Sequence, residues 1–107
     1  MTNYPEVVIV GIGQEPVGEH WDVSLRELAG RALRSARKDA AGLQPQAVYA
    51  GSMLAASASH QANLGALLCE VAGLAGRAEG ITAEAAEASG AAALNLAWQA
   101  VRSGMVD

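Results

Sequence analysis

Apolar residues in this chain alternate between short unbroken runs and runs set at helical spacing. Val7-Val8-Ile9-Val10 is β-branched and uninterrupted, and Gly11 and Gly13 close it. Such a run predicts a strand covered on both faces, as in a parallel sheet. Leu25, Leu28, Ala29, Ala32, Leu33 and Ala36 then recur at helical spacing, while Arg26, Glu27, Arg31, Arg34 and Lys38 point elsewhere. Asp22 or Ser24 offers the N-cap, Gly42 the stop, and Pro45 follows. Ala47-Val48-Tyr49-Ala50 predicts a second strand, closed by Gly51. Residues 52–59, small and mixed in polarity, read as a loop. From His60 or Gln61 a second helix carries Leu64, Leu67, Leu68 and Val71, and Gly73 and Gly76 end it. Residues 81–86 predict a third strand. Ser89 to Val101 predict a third helix, which Gly104 ends.

The predicted order is β-α-β-α-β-α. Right-handed crossovers then give an α/β fold with a mainly parallel sheet. With 107 residues there is room for one domain at most. The last helix, 88–101, is apolar almost all round, with Ala91, Ala92, Ala93, Leu94, Leu96, Ala97 and Trp98 in succession around Asn95. A helix of that kind belongs inside a larger body. The sequence stops at Asp107, after the turn residues Ser103-Gly104-Met105, where a fourth strand would start. The expectation is a partial fold that a continuation or a partner chain completes, because three strands would leave a broad apolar patch bare.

Composition points the same way. Charged residues make up 17% of the chain, below the roughly 25% of ordinary soluble domains. Aromatic residues are 4% and Phe is absent, so Ala, Val and Leu must build the core. The net charge is -4, and seven basic residues leave no nucleic-acid footprint. Arg26, Arg31, Arg34, Arg37 and Lys38 cluster, but Glu27 and Asp39 interrupt them, as on a solvated helix face. The lone cysteine, Cys69, excludes an internal disulfide and a multi-cysteine metal site, and no metal is expected. Beside Leu67, Leu68 and Val71 it reads as a core residue. No signal-peptide pattern and no apolar run near the roughly 20 residues of a membrane span occur, so a cytoplasmic protein is expected.

Gly11-Ile12-Gly13 follows a predicted strand and invites a phosphate-binding reading. The next glycine is Gly18 and position 16 is Pro16, so the G-x-G-x-x-G spacing fails. A tight turn is the simpler reading. Residues 81–107 are more informative. A strand enters a sharp turn and a glycine-containing helix leaves at once. Such an elbow lifts a residue to a helix start, where backbone N–H groups are unpaired and negative charge is favoured. Enzymes use that setting to activate a thiol or to hold an oxyanion.

Glu84-Ala85-Ala86-Glu87-Ala88-Ser89-Gly90, with Ala93, Ala97, Gly104 and Asp107 beyond, resembles the nucleophile segment of the thiolase superfamily. The usual pattern there is Cys-Ala-Ser-Gly, small residues, then Gly and Asp before the next strand. Val8-Ile9-Val10-Gly11-Ile12-Gly13, then Pro16, Gly18, Ser24-Leu25 and Leu28-Ala29, is similar to the thiolase opening. The resemblance covers essentially the whole chain and the first quarter of a typical member, nearest to the acetyl-CoA acetyltransferases and the sterol-carrier-protein-type thiolases. It implies that residues 1–107 are the N-terminal part of a thiolase-like N-domain with no complete second domain.

The same resemblance implies acyl transfer or carbon–carbon bond formation and cleavage on coenzyme A thioesters, with coenzyme A as substrate and no covalently bound cofactor. It places Glu87 at the nucleophilic cysteine's position, with Ala88, Ser89, Gly90 and His60 at the substrate-site rim and Met53 and Asn63 nearby. A carboxylate is a weak nucleophile toward thioesters, and the mixed anhydride it would form is far more labile than a thioester. Glu87 is thus read as a natural or engineered replacement that blocks acylation. It can also mark a relative doing decarboxylation or retro-aldol cleavage, which need oxyanion stabilisation alone. Implied partners are the remainder of a thiolase chain or a complementary subunit, a homodimer or heteromer through strand 81–86, and an OB-fold/zinc-ribbon protein. The alternatives are a non-catalytic subunit or fragment of a heteromeric complex and a plain α/β binding domain.

Overall fold

The computed structural model describes residues 3–107. In chain order the elements are α1 (Leu25–Asp39), β1 (Ala47–Gly51), α2 (Ala55–Ala58), α3 (Leu64–Val71), β2 (Glu79–Ala83) and α4 (Ser89–Arg102). β1 and β2 pair in parallel, in register from Ala47 opposite Glu79 to Gly51 opposite Ala83. α3 packs chiefly on β2, α4 chiefly on β1, and α1 on α3. The architecture is therefore α/β with a parallel sheet, as the alternating pattern predicts.

Local chemistry sets the boundaries of α1. Ser24 Oγ accepts from the Glu27 amide at 3.1 Å and caps its start. Arg37 and Lys38 sit in the last turn, where positive charge suits the helix dipole. Ala41 and Gly42 then take left-handed backbone and end it. The basic residues of α1 are in part engaged on its surface. Arg26 pairs with Glu70 at 3.1 Å, and Arg31 with Glu27 at 2.8 Å. Exposed pairs like these contribute about 0–1 kcal/mol each.

The core is thin and built from small residues. Ala50, Leu64 and Leu67 are buried together, with Leu25, Ala55, Leu68 and Val71 packed around them. Glycines let the layers close. A Cβ at Gly65 would stand 2.6 Å from the Ile81 backbone, and one at Gly80 would stand 2.7 Å from the Gly65 carbonyl oxygen. Helix α3 therefore rests directly on the main chain of β2. The Gly65 amide donates to Thr82 Oγ1 at 2.9 Å and pins this crossing.

Several sequence expectations need correction. The run Val7 to Val10 is not a strand. It pairs with neither β1 nor β2, and Val8 and Ile9 are 64% and 73% exposed. The segment instead follows two helices. Val7, Val8 and Ile9 border α4, and Gly11 and Gly13 press against the backbone of α1. The Ile12 amide donates to the Asp39 carboxylate at 2.9 Å. With no ladder beside it, β-branched composition alone does not make a strand. Glycine here serves close approach: a Cβ at Gly11 would lie 2.7 Å from the Ala36 carbonyl oxygen.

The predicted loop 52–59 contains the short α2, started by Ser52 Oγ accepting from the Ala55 amide. The second predicted helix begins at Leu64 rather than His60 or Gln61, because His60 and Asn63 are left-handed and interrupt any continuous helix. The third strand spans Glu79–Ala83 instead of 81–86. It stops where the Ala85 amide turns to Ser89 Oγ and Ala86 turns left-handed. Helix α4 is not enclosed: Ala93 and Ala100 are buried, but Leu94 and Trp98 are 62% and 47% exposed.

Substituting Gly65→Ala or Gly80→Ala should cost about 1–3 kcal/mol of unfolding free energy, since backbone rather than a flexible side chain must move. A Cβ at Gly90 meets nothing within 4 Å. Gly90→Ala should therefore stabilise, by up to about 1 kcal/mol. Urea titration of the three variants checks both signs. Cys69 is buried in α3, and burial pushes its thiol above the ordinary value. The resulting stability is complete below the unfolded thiol's pKa and is lost as pH rises through the higher folded value. Iodoacetamide at neutral pH should leave Cys69 unmodified until denaturant opens the chain. The urea midpoint should fall in the alkaline range, less steeply after Cys69→Ala.

Candidate active site

Between β2 and α4 the chain makes a braced turn. The Ala86 amide donates to Glu84 Oε1 at 3.0 Å, and the Ala85 amide donates to Ser89 Oγ at 2.9 Å. The Ser89 hydroxyl in turn donates to the Ala86 carbonyl at 2.6 Å. Two backbone bonds tighten the bend, from the Ala88 amide to the Ala85 carbonyl at 3.0 Å and from the Ser89 amide to the Ala86 carbonyl at 3.1 Å. Ala86 sits at φ 50°, a conformation that costs a non-glycine residue about 1–2 kcal/mol. Ser89 is only 3% exposed and is the buried polar residue among the described residues.

The elbow is held from outside by β1. A Cβ on Gly51 would overlap the Ser89 carbonyl oxygen and lie 2.9 Å from the Gly90 nitrogen. Only glycine lets the end of β1 reach the start of α4. The signal was present in the sequence, a glycine directly after a strand, but its partner across the fold was not legible.

Where these elements meet, an open depression of about 300 Å³ is lined by Gly51, Ser52, Met53, Leu54, Ala86, Glu87, Ser89 and Gly90. Glu87 is exposed at its edge. Ala88 is exposed and is the N-cap of α4, where no side chain caps the helix. The Gly90 and Ala91 amides have no hydrogen-bond partner among the described residues, as the first turn of a helix leaves them. The depression therefore combines an exposed carboxylate with a helix start that favours negative charge.

A second depression, about 240 Å³, adjoins the first through Ser52 and Met53. Its lining includes Gln61, Asn63, Thr82 and Glu84. Met53 and Asn63 thus reach the neighbourhood of the elbow. His60 is exposed and left-handed, and lines neither depression. Ser52 borders the elbow without having been singled out in the sequence, and Glu84, named there only as part of the motif, borders it too. Glu84 becomes recognisable only once its carboxylate is seen holding the Ala86 amide. His20 lies outside, its Nε2 donating to the Pro16 carbonyl at 2.7 Å. Cys69 is absent from both linings. No helix among the described residues is long and apolar enough to cross a membrane.

Comparison with known proteins identifies the family. Residues 7–107 match the family model for the thiolase N-terminal domain. Over 104 residues the chain is 36% identical to an acetyl-CoA acetyltransferase of Methanothermobacter thermautotrophicus. That match covers 95% of this chain and 27% of the relative, so the chain spans about a quarter of that protein's length. With nearly every described residue inside the matched region and a parallel α/β arrangement beneath it, the chain belongs to the thiolase family.

Proposed function

We propose that residues 1–107 form the N-terminal part of a thiolase-like N-domain acting on acyl-CoA thioesters, with Glu87 standing where the family carries its nucleophilic cysteine. The observation that carries this reading is the braced elbow, with residue 87 lining the same open depression as Gly90. Acyl transfer through Glu87 is chemically poor, because a carboxylate attacks thioesters weakly. The chemistry that fits is stabilisation of an enolate or oxyanion without an acyl-enzyme, as in decarboxylation or retro-aldol cleavage. Coenzyme A thioester is then the substrate. Ala88, Ser89 and Gly90 form the rim on this chain, and His60 is a rim residue only in the complete assembly. The other catalytic groups come from the remainder of a thiolase chain or from a complementary subunit in the cytoplasm.

A second reading, a non-catalytic subunit of a heteromeric thiolase-like complex, is favoured by the bare face of α4. Leu94, Trp98 and the residues 7–9 border an apolar groove of about 530 Å³. One edge of β2 also carries no strand among the described residues. In this reading β2 pairs with a second thiolase-like chain, and an OB-fold/zinc-ribbon protein is a candidate further partner.

A radiolabelled acyl-CoA tests the first reading. The Glu87→Cys protein, supplied with its natural complement of subunits, should become labelled, while the parent stays unlabelled. Equal inertness of the two would sink the assignment of residue 87. Mass spectrometry of the native complex tests the second: a thiolase-like subunit co-purifying in equal amount, with no turnover of any acyl-CoA by the assembly, would establish it.

A further inference from the structure

The hydroxyl of Ser89 has a role that follows from its bonds. It accepts from the Ala85 amide and donates to the Ala86 carbonyl, so it spans the residue that is forced into left-handed backbone. Every other bond across the bend is made by the main chain or by the exposed Glu84. Ser89 is itself buried, its main chain lies against Gly51, and its hydroxyl is engaged in both bonds.

We propose that Ser89 is a positioning residue. Its hydroxyl holds Ala86 left-handed and so sets the direction of the residue at 87, without touching substrate. The proposal rests on the reading that residue 87 is the reacting position of the elbow. Two hydrogen bonds of about 0.5–1.5 kcal/mol each are of the right size to offset a left-handed alanine. Without them the bend relaxes toward ordinary backbone. Residue 87 then swings away from the Gly90 amide, while β1, β2 and the body of α4 remain packed.

The test uses the full chain with a thiol as reporter. In Glu87→Cys, alkylation by iodoacetamide is followed from about pH 5 to about pH 10, and peptide mass spectrometry separates the reporter from buried Cys69. The reporter should titrate at least about one unit below an ordinary exposed thiol. Adding Ser89→Ala should return the midpoint to the ordinary value and slow alkylation near neutrality by about tenfold. Ser89→Thr keeps the hydroxyl and should keep the lowered midpoint. Circular dichroism and a cooperative melt confirm that each variant is folded. In the parent background, Ser89→Ala should remove hydrogen-exchange protection at the Ala85 amide and leave that of the α4 interior in place.

The outcomes separate the two claims. A lowered midpoint that survives Ser89→Ala overturns the positioning role and leaves residue 87 as the reacting position. An ordinary midpoint in Glu87→Cys itself overturns the reading of residue 87 and the positioning role with it. Loss of protection along all of α4 in Ser89→Ala would show a merely structural residue and would also overturn the proposal.

Discussion

The backbone of Gly51 rests on the carbonyl of Ser89, and this contact determines what the rest of the chain can do. Any side chain at position 51 would push the end of β1 away from the start of α4. The parallel register sets Gly51 opposite Ala83, so the same level of the sheet releases the chain into the elbow. The elbow is thus clamped between two fixed points. One is main-chain contact with β1, and the other is the Ser89 hydroxyl inside the bend. Close packing of this kind needs glycine and alanine, which explains a core with almost no aromatic residues.

Ala41, His60, Asn63 and Ala86 are left-handed without being glycine; Ala41 ends α1, and Ala86 and Asn63 border the adjoining depressions. Such residues persist only where surrounding bonds over-determine them. At Ala86 those bonds are visible: the Glu84 carboxylate holds its amide, and the Ser89 hydroxyl and amide both bond its carbonyl. The elbow is therefore pre-formed, and its geometry does not wait for a ligand. For chemistry that stabilises a developing negative charge, a fixed donor costs no reorganisation at the moment of reaction.

How much of this was legible in the sequence depended on whether the signal was local. Ser24, Gly42 and the spacing of Leu25 to Ala36 located α1, because a cap, a stop and a period all lie within one segment. The elbow was legible for the same reason, as a strand, a bend and a glycine-bearing helix in close succession. The fate of Val7 to Val10 was not. Its composition fits a buried strand, but a strand is completed by neighbours, and hydrogen bonding is decided elsewhere in the chain. The break in the second helix was also hidden, since nothing in His60 or Asn63 announces left-handed backbone beyond the mild tolerance of Asn. Glu84 stood in the quoted motif, but its role was hidden because it is a hydrogen bond to the Ala86 amide inside the bend.

Helix α4 shows the same limit on a larger scale. Its residues are patterned for burial nearly all round, but a two-stranded sheet can cover only one side of it. On the other side the extended segment 7–9 and the ring of Trp98 share the apolar surface. The Arg102 guanidinium lies 5.0 Å from the Tyr4 ring and 5.6 Å from the Trp98 ring, and so bridges the two. Contacts of this type contribute about 0.5–1 kcal/mol at exposed sites, too little to compensate for the apolar area left in water. The elbow and the bare helix face are therefore linked: the tight joint at Gly51 fixes the Ala93 and Ala100 face of α4 on the sheet, and two strands leave Leu94 and Trp98 on the other face uncovered.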